Sequence, residues 1–596
     1  MSWPERYPGR LEYELQDFID RGLTFAIDDS ESRRTGRIVL RGQIPHGGEN
    51  AEVLVVYPEH YPLFRPEVYA PSLRLARHQN PIEGNLCLLD RATSQWNVDD
   101  TAAWLVTERV PLLLALLEGD PDAMRAAEVP QGEPASAFMP WERGTFVLVP
   151  AAGLVLPIGI TSGALALRFG TNERPARFPG TPWPQVRALL DSVTAGSGRD
   201  ESVVAEADEA LRRRFQGQEV PGRWVRLPEP PVATSASELA ELAVAQSAEA
   251  ATPRFSATIG DAQVSVVGVL YDEEVEQGVI EPAWAFIIHS RSAPSGHEHR
   301  RSRGAPQVRQ ERYLVRGERY SMADLRARIP RTAGMEDRTF AVAGLGSLGA
   351  PFVGELGRAQ AGKVHVLDDD LIEAGTTVRW PYGLSAINQD KTQLIGSVLA
   401  SEHPLVDVAW FRVRIGDAGL REGPEYSEAE MLDQFLSGAD VVVDATAVFA
   451  VGHLLGTVAR DRGIPLIMVS ATEGAWGGRV VRLLPGATGC WQCLQMALMS
   501  GDLLSPPAEP AGTVQPRGCA TRTFTGAGYD LTPLVAQAAR VTIRTALAEA
   551  VSADDAWPAV HVMELHTGNG PLPAPRWSSH QLLPNPECEL CGGVGH

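Results

Sequence analysis

The sequence is poor in cysteine, in basic charge and in uninterrupted apolar runs. Six cysteines in 596 residues are too few for a disulfide framework. The charged opening MSWPERYPGRLEYELQ has no apolar export segment. A reducing cytoplasm is therefore expected, with thiols used for metal or chemistry. Lys and Arg number 53 against 74 Asp and Glu, a net charge of −21. Phosphate backbones require a basic face, so nucleic acid is not expected as a main partner. One uncharged stretch, Phe146 to Leu167, is 22 residues long, enough to span a bilayer. Pro150, Pro157 and three glycines break it, and it reads as strands of a soluble domain, with no membrane partner. The content that remains, 44% hydrophobic and 21% charged, suffices for several cores, and the length suggests roughly four domains.

The most informative stretch begins at Phe340. An apolar run to Ala343 reads as a buried strand, followed by Gly344, Gly346 and Gly349 in G-x-G-x-x-G spacing. Pro351 falls in a first helical turn, where a missing N–H is tolerated. A second strand, Lys363 to Leu367, runs into Asp368, Asp369 and Asp370. Such a turn lets backbone approach a phosphate at a helix N-terminus, and Asp368 is placed for a ribose hydroxyl. These residues alone imply a nucleotide, NAD included. Arg379 and Lys391, 11 and 23 residues beyond Asp368, tilt the choice to ATP. Together with GLGSLG and VLDDD they resemble the ThiF/MoeB-type adenylating enzymes, which activate ubiquitin-like and sulfur-carrier proteins. The resemblance covers roughly Arg331 to Cys591. It implies that Gly344, Gly346 and Gly349 cradle ATP, Asp368 holds ribose, and Arg379 and Lys391 contact phosphates. It also implies attack of a protein's C-terminal carboxylate on the α-phosphate. Fixed cations in a dry site stabilise the charge this creates.

Residues 1–120 read as a first domain: a helix over Leu11–Arg21, a strand pair across PHGGEN, a proline-rich loop and an apolar helix near Ala102–Leu117. Tyr61-Pro62, Pro66, His78-Gln79-Asn80, Gly84, Leu86-Cys87-Leu88 and Trp96 resemble the ubiquitin-conjugating enzyme core. That resemblance makes Cys87 a thioester-forming cysteine and Asn80 the oxyanion support. Two departures stand out: Gln79 replaces the family's central proline, and Cys87 follows Asn80 by seven residues instead of about eight.

Residues 121–142 read as linker, and 143–310 as a mixed middle domain to which no chemistry is assigned. Within it Thr145–Arg168 and Phe255–His289 read as strands, Trp183–Phe215 as helical, and SELAELAVAQSAEAA as a helix. His297 and His299 lack a partner pair and read as a solvated loop. Residues 311–596 form the adenylation domain, entered by a short helix capped by Ser321 and Asp324. Related enzymes use an arginine just upstream of the glycines, for which Arg326 and Arg328 are placed. The strand ADVVVDA ends at Asp444. Sulfur-carrier activators read Asp-Cys-Thr-Asp here; this chain has Ala447 in place of the second acid, leaving Asp444 or Asp370 for Mg2+.

Cys490/Cys493 and Cys588/Cys591 are two C-x-x-C pairs, the spacing of a tetrahedral Zn2+ site that would clip the C-terminal tail to the domain. Cys519 ends a Pro- and Gly-rich loop, flanked by Arg517 and Arg522 and followed by a helix from Leu531. Both features favour thiolate, so Cys519 can attack an acyl adenylate. With four cysteines assigned to zinc, Cys519 and Cys87 remain as two thiol stations.

The expected fold class is α/β: a Rossmann-like adenylation domain with a zinc site, an N-terminal α+β ubiquitin-conjugating-like domain, and the mixed middle domain. The layout resembles bacterial fusions of ubiquitin-activating and ubiquitin-conjugating enzymes found in antiphage operons, closest to the CBASS type. That implies a protein substrate with an activatable C-terminus, either a nucleotidyltransferase or a ubiquitin-like protein, an amine-bearing target, and a homodimer. The rival readings are a sulfur-carrier adenylyltransferase, which leaves Cys87 unexplained, a non-catalytic nucleotide-binding scaffold, and an NAD dehydrogenase.

Overall fold

The computed structural model describes residues 2–46, 48–75, 77–89, 96–117, 119, 132–150, 156, 159–170, 187–196, 202–259, 262–276, 278–292, 308–417, 427–515, 522–548 and 557–591. They group into two units, Met1–Ala207 with Phe215–Arg319, and Asp208–Arg214 with Tyr320–His596.

The first unit opens with helix Arg10–Asp20 and a four-stranded antiparallel meander: β1 (Phe25–Ile27), β2 (Val39–His46), β3 (Glu49–Val56) and β4 (Glu67–Tyr69). In β3 alternate residues Ala51, Val53 and Val55 are buried, the period of a half-covered strand. They pack with Phe18, Tyr57, Tyr61, Trp96 and Val110. The apolar helix expected near Ala102 begins at a Thr101 cap, whose Oγ1 accepts from Trp104 N–H at 3.1 Å. It then passes through a π-helical turn, Leu105–Arg109, into Val110–Leu117.

Nine strands follow: β5 (Phe146–Val149), β6 (Ser162–Phe169), β7 (Arg187–Ala195), β8 (Ser202–Glu206), β9 (Glu219–Arg226), β10 (Ala257–Ile259), β11 (Ala262–Glu276), β12 (Val279–Ser292) and β13 (Arg309–Arg319). Their order is β10-β11-β12-β13-β5-β7-β6-β9, and β9 also pairs with β11, closing seven of them into a barrel. Val266, Leu270, Trp284 and Phe286 belong to one core. The intervening Val267, Val269, Tyr271, Ala285 and Ile287 pack in another with helix Ala236–Gln246. Covered on both faces, β11 and β12 read as continuous apolar runs.

Three expectations are corrected here. Among the described residues of Trp183–Phe215, β7 and β8 are strands and Glu209–Arg214 is the helical part. The leucines and alanines of β7 favour a helix locally, but ladders to β5, β6 and β8 decide its conformation. The middle domain extends past 310, because β13 pairs with β12 and β5 and the second unit starts at Tyr320. The end of the linker is barrel as well: Ala135 and Met139 are core, and Ser136 donates through N–H and Oγ to Glu273 at 2.9 and 2.8 Å. His297 and His299 lie outside the described residues.

The second unit contains one eight-stranded sheet. Its strands are β14 (Thr339–Ala343), β15 (Lys363–Asp368), β16 (Asp407–Arg412), β17 (Val441–Asp444), β18 (Leu466–Ala471), β19 (Gly477–Leu483), β22 (Val560–Thr567) and β23 (Gly570–His580). A small ribbon pairs β20 (Thr513–Val514) with β21 (Thr523–Phe524). The sheet order is β16-β15-β14-β17-β18-β19-β22-β23; the first five strands are parallel and the last three antiparallel. Helices Gly349–Arg358, Lys391–Glu402 and Gly528–Ala546 cover one face through Phe352, Leu399 and Leu534. Helices Glu428–Leu436 and Phe449–Asp461 cover the other through Phe435 and Leu455. This is the doubly wound order, and it reverses between β14 and β17, where such sheets open a binding crevice. No helix among the described residues is long and apolar enough to cross a membrane.

Candidate active site

The glycine turn sits at that reversal, and its three glycines do different work. Gly344 has φ of +86°, and a Cβ there would lie 2.7 Å from Thr446 N, so the turn presses on the end of β17. A Cβ on Gly349 would meet Gly344 O at 1.8 Å, which only glycine avoids. At Gly346 nothing lies within 4 Å of a Cβ. The first and third glycines are thus demanded by packing, while the second faces open space. Among the described residues the N–H groups of Gly346 and Ser347 donate to no protein acceptor, leaving them for an anion at the start of helix Gly349–Arg358.

Three side chains brace the turn. Asp368 Oδ2 accepts from Leu345 N–H at 2.6 Å, and its Oδ1 from Asp370 N–H at 2.9 Å. Trp380 Nε1 donates to Leu345 O at 2.8 Å, a contact with no motif to announce it. Arg379 Nε donates to Ser347 Oγ at 2.9 Å. A carboxylate has about four lone-pair sites, so Asp368 can still receive a ribose hydroxyl. Lys391 Nζ lies 2.8 Å from Asp370 Oδ2 and 3.8 Å from Asp368 Oδ1. The carboxylates of Asp368, Asp369 and Asp370 lie within 4.8 Å of one another. Burial, and then the neighbouring Asp370 and Asp368 charges, push the Asp369 carboxyl up. Gly344, Gly346, Gly349, Asp368, Asp370, Arg379 and Lys391 therefore form one site.

Arg379 is also tied downstream. Its Nη1 donates to Phe524 O and its Nη2 to Thr523 Oγ1, both at 2.7 Å, with the guanidinium 4.4 Å above the Phe524 ring. Burial disfavours its charge. It thereby joins the glycine turn to β21. Cys519 and Arg517 lie outside the described residues. Arg326 is committed elsewhere: it donates to Ala359 O and Gln360 O, both at 3.1 Å, and pairs with Glu336. Arg328 is exposed.

Asp444 ends β17 and is 4% exposed. Burial raises its carboxyl, although Thr446 N–H and Oγ1 donate to Oδ1 at 3.0 and 2.7 Å. Ala447, where the second acid is missing, has a left-handed φ of +55°. A cleft of about 430 Å³ opens here, lined by Asp444, Ala447, Thr472, Glu473, Arg479 and Trp491 among others. Burial lowers the affinity of Arg479 for its proton, and its Nη1 has no partner among the described residues. An anion in this cleft would satisfy it. Nothing in the spacing of the sequence marks Arg479.

The four C-x-x-C thiols converge. Cys490 Sγ is 3.9 Å from Cys493 Sγ and 3.6 Å from Cys588 Sγ, and Cys493 Sγ is 3.2 Å from Cys591 Sγ. Zn–S bonds of about 2.3 Å imply tetrahedral edges of about 3.8 Å, so the cluster fits zinc. Asn585 N–H donates to Cys493 Sγ at 3.3 Å, and Arg460 Nη1 holds Leu590 O at 2.9 Å.

In the first unit Cys87 is exposed, and its N–H donates to His78 O at 2.7 Å. Asn80 uses Oδ1 to cap its own turn, accepting from Ile82 and Glu83 N–H at 2.9 and 3.1 Å. Gln79, 8% exposed, organises the loop: Oε1 accepts from Leu75 N–H at 2.9 Å, and Nε2 donates to Ala70, Leu73 and Gly84 carbonyls, each at 3.3 Å. Trp96 Nε1 donates to Pro62 O at 2.8 Å, joining two parts of the motif.

Residues 330–563 match the ThiF family. Together with the fold, this defines a ThiF-type domain of Rossmann-like architecture within the chain. Over the whole length the chain is similar to Uncharacterized protein y4oA of Sinorhizobium fredii, 29% identical over 620 residues, covering 99% of this chain and 98% of that protein. The SAMP-activating enzyme E1 of Haloferax volcanii is 28% identical over 186 residues, 31% of this chain and 59% of that protein. The solved structure of E. coli MccB is 14% identical with a TM-score of 0.33, covering 45% of this chain and 68% of that one.

Proposed function

We infer that the chain activates the C-terminal carboxylate of a protein by ATP-dependent adenylation and passes the acyl group through two thiols to an amine. The observation that carries the first step is the glycine turn: Gly344 and Gly349 are filled by neighbours, and Gly346 is open beside Lys391, Asp368 and Arg379. The match to the ThiF family and the likeness to a SAMP-activating enzyme support protein activation as its use. ATP lies with its phosphates toward Gly346 and Ser347 and its ribose on Asp368. The substrate carboxylate enters beside Asp444, where Arg479 offers an unpaired N–H. Of the acids left for Mg2+, Asp370 is the better ligand, because Asp444 is buried and its burial disfavours charge. Carboxylate oxygen attacks the α-phosphorus and pyrophosphate leaves, with Arg379 and Lys391 holding the charge.

Cys519 then displaces AMP to give a thioester, Cys87 takes the acyl group from it, and a target amine takes it from Cys87. Support for Cys519 comes from the sequence, where Arg517 and Arg522 flank it, and for Cys87 from its exposure. Cys490, Cys493, Cys588 and Cys591 hold zinc, which braces the tail. A homodimer and a role in bacterial antiphage defence follow from the resemblance of the layout to CBASS fusions. A sulfur-carrier adenylyltransferase is the alternative; it accounts for the central site and the thiol cluster and gives Cys87 no task.

Pyrophosphate exchange tests the first step. Arg379→Ala and Lys391→Ala should each slow exchange by roughly a hundredfold, about 3 kcal/mol of transition-state stabilisation. Wild-type rates in both variants would mean the phosphates lie elsewhere. Thioester formation on gels, with and without thiol reductant, tests the relay: Cys519→Ala should leave exchange intact and keep Cys87 uncharged.

A further inference from the structure

The loop that carries Cys87 is held from outside the N-terminal domain. Glu133, on the approach to the barrel, accepts from the backbone N–H of His78 at 2.6 Å through Oε1. The same oxygen lies 3.0 Å from His78 Nδ1. Alongside, Arg77 Nη1 is 2.7 Å from Glu274 Oε1 on β11, which also accepts from Gly278 N–H at 2.8 Å. His78 has φ of +59°, a left-handed conformation that a non-glycine residue keeps only when its surroundings hold it. The bridge between Gln79 and Leu86 places residues 78 and 87 opposite each other in the next register position. The hydrogen bond from Cys87 N–H to His78 O confirms that register.

A carboxylate on Nδ1 sets the tautomer of an imidazole. Nδ1 carries the proton toward Glu133, and Nε2 keeps a lone pair. The backbone pairing sets His78 across from the exposed Cys87, so an oriented imidazole is carried on the residue next to the thiol's own position. We propose that His78 is the proton acceptor of the Cys87 station and that Glu133 is its positioning residue. This rests on the reading of Cys87 as the conjugating thiol. As the amine attacks the thioester carbonyl, the C–N bond forms and the amine's proton moves to Nε2. The C–S bond then breaks with its electron pair on Sγ, and the imidazolium returns the proton to the thiolate. The Glu133 charge stabilises the imidazolium while it exists.

The experiment uses the full chain and two readouts against pH. The first needs neither ATP nor acyl transfer: alkylation of Cys87 by iodoacetamide, followed by mass spectrometry. The second is aminolysis by lysine after Cys87 has been loaded by exchange from a small acyl thioester. His78→Asn removes the imidazole and retains a side chain that tolerates left-handed backbone. Glu133→Gln keeps an acceptor for His78 N–H and removes only the charge. His78→Asn should slow aminolysis at neutral pH by roughly a hundredfold, erase the imidazole inflection, and move the alkylation profile to higher pH. Glu133→Gln should keep that inflection and slow aminolysis by less than His78→Asn does, since the imidazole remains but its proton is no longer fixed on Nδ1. Equal slowing at every pH with unchanged profiles would mean that the pair only braces the loop, and the proposal falls. Wild-type profiles in both variants also overturn it. If the wild-type chain passes no acyl group to lysine while His78→Asn still moves the alkylation profile, the conjugating reading fails and the pair stands as an activator of the thiol.

Discussion

The glycine turn of the second unit and the Cys87 loop of the first both hold a sharply bent backbone, and they are held by opposite means. At 344–349 the backbone itself is the device. Strand ends, a helix start and two sterically forced glycines leave little for side chains to decide. Around Cys87 the backbone is shaped by buried polar side chains: Gln79 spans four main-chain groups, Asn80 caps its own turn, and Glu133 grips His78. A backbone device is written in glycine spacing and can be read as a motif. A side-chain device depends on partners far apart in the chain and has no such spelling.

The largest effect on the second unit should come from its thiol cluster. Four-thiolate zinc sites are worth about 10–16 kcal/mol of apparent binding free energy. Cys588→Ser should abolish zinc binding and raise hydrogen exchange in β22 and β23. Wild-type protein purified without chelator should carry one zinc per chain, and elemental analysis finding none would remove metal from the account of this unit.

The next test separates packing from ligand contact within the turn. Gly349→Ala must displace Gly344 O, and a cost of about 3 kcal/mol or more is expected, with ATP binding lost. Gly346→Ala meets nothing and should leave the unfolding curve unchanged while weakening ATP binding. Urea unfolding and calorimetric titration read the two effects; equal destabilisation by both substitutions would erase the distinction drawn between these glycines.

Gln79→Ala probes the other device. It leaves several main-chain groups unpaired around a buried position, at a cost of about 1–3 kcal/mol. Faster amide exchange from Leu75 to Leu88, with the second unit unaffected, is the expected pattern.

The smallest effect concerns Glu14, fully buried in the first unit. Burial raises its carboxyl above the ordinary range, opposed by hydrogen bonds from Tyr61, Ala102 and Tyr57 and by the Arg10 charge. The folded state therefore keeps this proton to higher pH than the unfolded chain does. Stability from this group is full below the unfolded value and declines as pH rises through the raised folded value, by on the order of 1 kcal/mol per unit of difference. Amide protection factors in β2 and β3, corrected for the intrinsic exchange rate, should be higher on the acidic side of that window, and Glu14→Gln should flatten the dependence.

Much of the second unit was legible because its elements are strongly patterned. The strands Phe340–Ala343 and Ala439–Ala445, the glycine spacing and the two C-x-x-C pairs are local signals, and the structure brings the glycines, Asp368, Asp370, Arg379 and Lys391 to one place. Trp380 and Arg479 carry no sequence signal, because a single tryptophan or arginine has no period. In the first unit RALLDSVTA has local helical character, which three neighbouring strands override to make it β7. The closing of the barrel by β9 on β11 joins residues more than 40 positions apart and leaves no local trace.

The sequence by itself determined the doubly wound domain, the glycine turn and the two C-x-x-C pairs, because each depends on backbone needs that residue type and short spacing express. Only the tertiary structure decided that Arg379 spans from Ser347 to β21, that Gln79 does the work of a loop scaffold, and that Glu133 reaches His78 beside Cys87. Those are contacts between polar side chains and distant backbone. Burial makes them strong, and burial is a property of the fold as a whole rather than of any stretch of chain.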